Sequence, residues 1–237
     1  MMRHYAFSTP IPPSSSKQNK KNQTQGNTRS VTCYNASSPG GSAISKSPDE
    51  ERCVVAGKDS LRILRVSDGS ERPTLEHKFA IGKGGYRIDV SKNFLSGSSL
   101  KADSALTDVV WCHKSFDNKI LTSARNGDLI LWDLNKSGSL KYERKTKGHT
   151  RSINKLSYSS SLPNLCCTGS SDGLLKVWDL RDLTKASHYV SNQFAVRTML
   201  FTPSAAEPFA AISALDNGTI CRWDLRMGQR GQLERIP

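Results

Sequence analysis

Short apolar runs separated by tight-turn residues fill most of this chain. Residues 153–158 alternate apolar and polar side chains, and a turn region with Pro163 and Asn164 follows. Residues 165–170 and 174–178 then flank a second turn, Ser171-Asp172-Gly173. Runs of this length, bounded by Pro, Asn and Asp-Gly, predict antiparallel strands joined by hairpins and are too short for helices. The same frame recurs on both sides. Residues 106–111, 120–124 and 129–132 predict three strands, with Asn126-Gly127 turning between the last two. Residues 194–201, 209–214 and 219–223 predict three more, with Asn217-Gly218 as the turn. Asn, Asp and Gly tolerate the left-handed backbone that such hairpins need. A fainter copy comes first: residues 53–57 and 61–64 around Lys58-Asp59-Ser60.

Three of these units end alike, in Leu131-Trp132-Asp133-Leu134, Val177-Trp178-Asp179-Leu180-Arg181 and Arg222-Trp223-Asp224-Leu225-Arg226. The tryptophans lie 46 and 45 residues apart, a period that marks a repeat architecture whose units bury their cores against each other. Together with Gly148-His149, these endings resemble the WD40 repeat family. The resemblance implies a buried hydrogen-bonded network of His149, Thr168, Asp172 and Trp178 in the middle repeat. The flanking repeats lack Gly-His and carry Asn126 and Asn217 in place of the turn Asp, so they should lack the full network and be less rigid. The expected fold is all-β, an incomplete WD40 propeller of about 3–4 blades, because closed propellers have about 4–8. Residues 51–237 form the partial propeller in this reading, behind a disordered arm at residues 1–50. Alone, such a fragment should be poorly soluble or recruit another chain over its last blade.

The arm is rich in Ser, Asn, Gln, Lys and Pro and has no acidic residue before Asp49. Such a composition buries too little apolar surface to offset ordering entropy. No run approaches the length of a membrane helix, so any membrane association is expected only through partners. The formal net charge of +13 permits attraction to nucleic acid or anionic lipid. The densest group in the folded region, Lys141, Arg144, Lys145 and Lys147, reads as a solvated loop. Aromatics clustered for base stacking are missing, which argues against nucleic acid. The six cysteines form no Cys-x-x-Cys pair and sit mostly in apolar strands. That pattern implies a reducing, intracellular compartment without disulfides, zinc or other cofactor.

Chemistry is tempting at two places. His149, Asp172 and Ser170 have the residue types of a nucleophilic triad, but no nucleophile turn accompanies them and the network already uses two of them. Gly82-Lys83-Gly84-Gly85 lacks the spacing of a phosphate loop. The chain is therefore expected to be no enzyme and to take no small-molecule substrate. Trp178-Asp179-Leu180-Arg181 and Trp223-Asp224-Leu225-Arg226 match a Trp-Asp-x-Arg pattern, which makes Arg181 and Arg226 candidate docking residues for a ubiquitin-ligase adaptor.

The ordered set of residues 148–154, 169–181 and 194–197, with Asp108-Val109-Val110-Trp111 and residues 131–136, resembles one subgroup more closely. This is the fungal restriction of telomere capping family, whose animal counterpart is a WD-repeat subunit of the GATOR assembly, called SEA in yeast. The resemblance covers roughly residues 50 to 230 and implies a scaffold at the vacuolar membrane, bound to other protein subunits and relaying amino-acid sufficiency to the target-of-rapamycin kinase complex. Family members carry further blades, a helical region and a zinc-binding end that nothing here matches. The alternatives are a substrate receptor of a cullin-type ubiquitin ligase and a basic nucleic-acid-binding propeller.

Overall fold

The computed structural model describes residues 41–57, 61–67, 78–79, 87–95, 105–136 and 142–236. They form four antiparallel sheets in chain order, each one blade of a partial WD40-type propeller. Blade 1 comprises β1 (Gly41–Lys46), β2 (Arg52–Gly57), β3 (Leu61–Ser67), β4 (Lys78–Phe79) and β5 (Arg87–Leu95), ordered β1-β2-β3-β5-β4. Blade 2 comprises β6 (Leu106–Trp111), β7 (Lys119–Ala124), β8 (Asp128–Asp133) and β9 (Tyr142–Lys147). Blade 3 comprises β10 (Ile153–Tyr158), β11 (Leu165–Ser170), β12 (Leu174–Asp179) and β13 (His188–Ser191). Blade 4 comprises β14 (Val196–Phe201), β15 (Ala210–Leu215), β16 (Ile220–Asp224) and β17 (Gln232–Ile236).

Blades 2 to 4 are meanders in which every strand pairs with the next in sequence, as short hairpin turns require. Their registers repeat: Ile153 faces Ser170 where Leu106 faces Ala124 and Val196 faces Leu215, each followed by a one-residue shift. The shift is a bulge that adds twist to the inner strand. The predicted inner three strands of blades 2 to 4 match the observed ones to within two residues at each end. The outermost strands β9, β13 and β17 escaped the pattern because their sequences, YERKTK, HYVS and QLERI, carry little apolar signal. An edge strand needs only part of its length buried, and charge there discourages unwanted pairing.

The boundary expected at residue 50 falls inside blade 1. Strand β1 pairs with β2 over Ala43↔Ala56, Ile44↔Val55 and Ser45↔Val54, so residues 41–46 are part of the sheet. Its sequence, GSAISK, is too short and too small in side chain to stand out from the polar stretch before it. Residues 1–40, the Lys58-Asp59-Ser60 turn, the Gly82–Gly85 stretch and Lys141 lie outside the described residues.

Core formation follows from the blade-on-blade arrangement. Val54, Leu61 and Ile63 of blade 1 pack with Leu106, Val109, Trp111, Ile120 and Trp132 of blade 2. Leu121, Leu129 and Leu131 of blade 2 pack with Ile153, Leu156, Cys166 and Trp178 of blade 3. Cys167, Leu175 and Val177 of blade 3 pack with Val196, Met199, Phe201 and Trp223 of blade 4. Each central strand is thus apolar on both faces, and β8 and β11 are buried along their entire length. A blade has no core of its own, and its stability comes from its neighbours.

Candidate functional site

The middle blade holds a continuous hydrogen-bonded chain from core to surface. Trp178 Nε1 donates to Thr168 Oγ1 at 2.9 Å, and that hydroxyl lies 2.7 Å from His149 Nε2. His149 Nδ1 lies 3.0 and 3.1 Å from the two Asp172 carboxylate oxygens. The carboxylate also accepts the backbone N–H groups of Thr150 and Leu174, both at 3.0 Å. Donor accounting settles the direction. The Asp172 carboxylate can only accept, so Nδ1–H donates to it, and with no second ring proton the bare Nε2 accepts from the Thr168 hydroxyl, which also lies 3.5 Å from the Lys176 carbonyl. That is a neutral imidazole. Burial pushes the His149 pKa down to about 4, against the opposing pull of Asp172. Burial disfavours ionisation of Asp172 too, yet the Leu174 and Thr150 amides and His149 hold its carboxyl below the usual range.

The structure therefore brings His149, Thr168, Asp172 and Trp178 together. Ser170 stands apart from the imidazole: its hydroxyl donates to the Arg151 carbonyl at 3.4 Å and accepts the Asp172 N–H at 3.2 Å. With its side chain 0% exposed and both nitrogens engaged, His149 has no nitrogen left to activate a nucleophile.

Among the described residues, blades 2 and 4 show only the inner half of this chain. Trp132 Nε1 donates to Thr122 Oγ1 at 2.8 Å, and Trp223 Nε1 donates to Ser213 Oγ at 2.9 Å. The loop position of His149, four residues before the inner strand's first residue, is Asn192 in blade 4. Its side chain donates to the Gly173 carbonyl at 3.2 Å instead.

A second set of polar contacts, invisible to pattern reading, joins successive inner strands. The second residues of β6 and β10, Thr107 and Asn154, donate to the carbonyls of Ile153 and Val196, which open the next inner strand, at 2.6 and 2.8 Å. The fifth residues of β1 and β10, Ser45 and Ser157, accept the N–H groups of Trp111 and Phe201, both at 3.0 Å. In blade 2 the fifth residue is Val110, and buried Asp108 does this work instead, accepting Leu156 N–H at 2.8 Å. The only sequence signal was a polar residue recurring at a fixed inner-strand position.

Arg181 and Arg226 make the same kind of ion pair, each with the Asp two residues before it. Arg181 Nε lies 2.9 Å from Asp179 Oδ1 and its terminal nitrogen 2.5 Å from Oδ2. For Arg226 and Asp224 the values are 2.9 and 2.6 Å, and the guanidinium also lies 5.3 Å from the Phe209 ring centroid. Each arginine is exposed but spent on the Asp two residues before it. The basic group seen in the sequence is likewise engaged. Lys145 lies 2.8 Å and Lys147 3.9 Å from Asp128, and Arg144 lies 3.6 Å from Asp182.

The repeat that carries the complete network is also the one that matches a family model. Residues 140–179 match the family described as WD domain, G-beta repeat. The chain thus carries a WD40 repeat. It is related to proteins named GATOR2 complex protein WDR24. It is 32% identical to the one from Dictyostelium discoideum over 149 residues, which cover 62% of this chain and 13% of that protein. It is 28% identical to the Homo sapiens protein over 188 residues, 79% of this chain and 21% of that protein. It is 25% identical to the Debaryomyces hansenii protein named Restriction of telomere capping protein 1 over 255 aligned positions, 96% of this chain and 18% of that protein. The chain thus spans less than a quarter of each of these relatives.

Proposed function

We propose that this chain is a scaffold segment of a GATOR2-type complex, known as SEA in yeast. In this reading it works at the periphery of the vacuolar or lysosomal membrane and contributes to amino-acid signalling toward the target-of-rapamycin kinase complex. Its partners are the other protein subunits, and its contact with membrane runs through them. The observation that carries the reading is the match of most of the chain to GATOR2 proteins of amoeba and vertebrates. The blade surfaces support a binding role, since the histidine that catalysis would need is sealed within a structural network.

Affinity purification of the tagged chain from its own cells tests this. Subunits of the GATOR2-type complex should co-purify in stoichiometric amounts. Recovery of a cullin ligase adaptor instead, lost when Arg181 and Arg226 are both changed to Ala, would replace this reading with the ligase one.

A further inference from the structure

Three charge pairs at the junction of blades 2 and 3, Lys145–Asp128, Lys147–Asp128 and Lys155–Asp108, are arranged asymmetrically. Their carboxylates lie inside the protein and their cations lie outside. Asp128 and Asp108 expose 8% and 5% of their side chains. Lys145 and Lys147, which pair with Asp128, expose 54% and 59%, and Lys155, which pairs with Asp108 at 2.9 Å, exposes 42%. Two exposed arginines, Arg125 and Arg151, add to this surface, and their side chains make no hydrogen bond or ion pair among the described residues. Lys155 sits over β6 at Asp108, and the other four gather about one turn, whose Asp128 pairs with Lys145 and Lys147. Arg125 precedes Asn126-Gly127-Asp128, Lys147 donates to the Asn126 carbonyl, and a Cβ on Gly127 would lie 2.8 Å from the Arg151 carbonyl oxygen. The equivalent turn of blade 4 is balanced at the surface, since Arg197 and Asp216 are both exposed and 2.7 Å apart.

We propose that this cationic stripe, from the end of β9 across the Asn126-Gly127 turn to the start of β10, docks an acidic segment of a partner protein. The proposal rests on the scaffold reading and names the surface it uses. Asp128 faces two lysines and so leaves one positive charge uncompensated, and Arg125 and Arg151 add two more, so the surface suits anionic side chains. Arg125 and Arg151, whose guanidinium groups are unpaired among the described residues, suit carboxylates in bidentate geometry. A nucleic-acid groove would add aromatic side chains to stack bases, and the stripe has none.

Binding of a fluorescent glutamate-rich peptide to the full chain tests the proposal. The competitors are a single-stranded oligothymidylate of equal charge and vesicles containing phosphatidylserine. Arg125→Glu with Arg151→Glu should weaken peptide binding by roughly tenfold or more, because each reversal replaces an attraction by a repulsion. Arg230→Glu with Arg235→Glu makes the same change in net charge on blade 4 and should leave binding within about twofold. An unchanged unfolding midpoint in both variants shows that the fold survives. Equal losses in the two variants would mean that net charge alone attracts the peptide, and would overturn the proposal. So would the absence of peptide binding, or tighter binding of the oligonucleotide or vesicles at the same residues. Retained co-purification with the complex alongside any of these results would remove the stripe and leave the scaffold reading standing.

Discussion

Blade 3 and its two neighbours differ at one hydrogen-bonded junction. All three anchor a tryptophan indole to a hydroxyl on the adjacent strand, at 2.8 to 2.9 Å. All three close the next hairpin with a side-chain oxygen that accepts the N–H two residues on: Asn126 from Asp128, Asp172 from Leu174, Asn217 from Thr219. Among the described residues, only blade 3 joins these two elements, through His149. An Asn at the turn preserves the turn but cannot offer a carboxylate to an imidazole. The comparison shows that turn and network are separable. The turn is local, while the network needs a residue delivered by the loop from the previous blade.

That loop is also where the blades press together, and the largest expected effect lies there. The turn glycines Gly127 and Gly218 both have positive φ, at 88° and 86°. A Cβ on Gly127 would sit 2.2 Å from the His149 carbonyl oxygen, whereas at Gly218 it would meet nothing within 4 Å. Gly127→Ala should therefore cost roughly 3 kcal/mol or more, combining backbone strain with a clash that His149 cannot evade. Gly218→Ala should cost about 1 kcal/mol from backbone strain alone. Denaturant unfolding of the two variants measures both, and equal costs would erase the distinction between a packed turn and an open one.

Acid should act next, through His149. Its folded pKa lies near 4, below the unfolded value of 6.5, so between these limits the unfolded chain binds more protons. The histidine's contribution is complete above the upper limit and fades as pH falls through the lower one. The loss amounts to at most about 3 kcal/mol. Asp172, whose pKa is lowered, adds its own loss at still lower pH. His149→Gln should be less stable at neutral pH but show a flatter stability profile across this window. A variant as acid-sensitive as the parent would place the titration elsewhere.

Asp172→Ala should be the next most costly, at about 1–3 kcal/mol, because it strands the His149 Nδ1–H and two backbone donors. Asn126→Ala and Asn217→Ala remove a turn bond and should cost about 1 kcal/mol or less. Urea titrations that rank the three equally would mean that the network adds nothing to its turn. The smallest difference is expected at the hydroxyls. Ser213→Ala should cost about 1 kcal/mol through the lost bond to Trp223. Thr168→Val should exceed it by about 1 kcal/mol, since His149 Nε2 is orphaned as well. Amide exchange of the two blades would show whether the excess is confined to blade 3.

Legibility in the sequence followed locality. The three inner strands of blades 2 to 4 were readable because both faces of a blade are apolar and Asp-Gly or Asn-Gly marks each hairpin. The outer strands were not, since one sheet edge is open and polar residues serve there as well as in a loop. Strand β1 was absorbed into the polar stretch before it, because GSAISK gains its meaning only beside β2 and Trp111. Of the candidate residues, His149, Thr168, Asp172 and Trp178 could be named from repeat offsets. Their bonds and the neutral state of the imidazole needed coordinates.

By itself, then, the sequence determined the repeat, its period, the hairpin turns and the identity of the middle blade as the fullest copy. These depend on side-chain alternation and on backbone preferences a few residues long, which a linear pattern records. Only the tertiary structure decided where Ser45, Thr107, Asp108, Asn154 and Ser157 make their contacts, each reaching a strand 42 to 66 residues away. It also decided that the carboxylates under the blade 2 turn face inward and their lysines outward. Both outcomes are set by the way one blade's face closes on the next, and a buried carboxylate and an exposed one are written with the same letter.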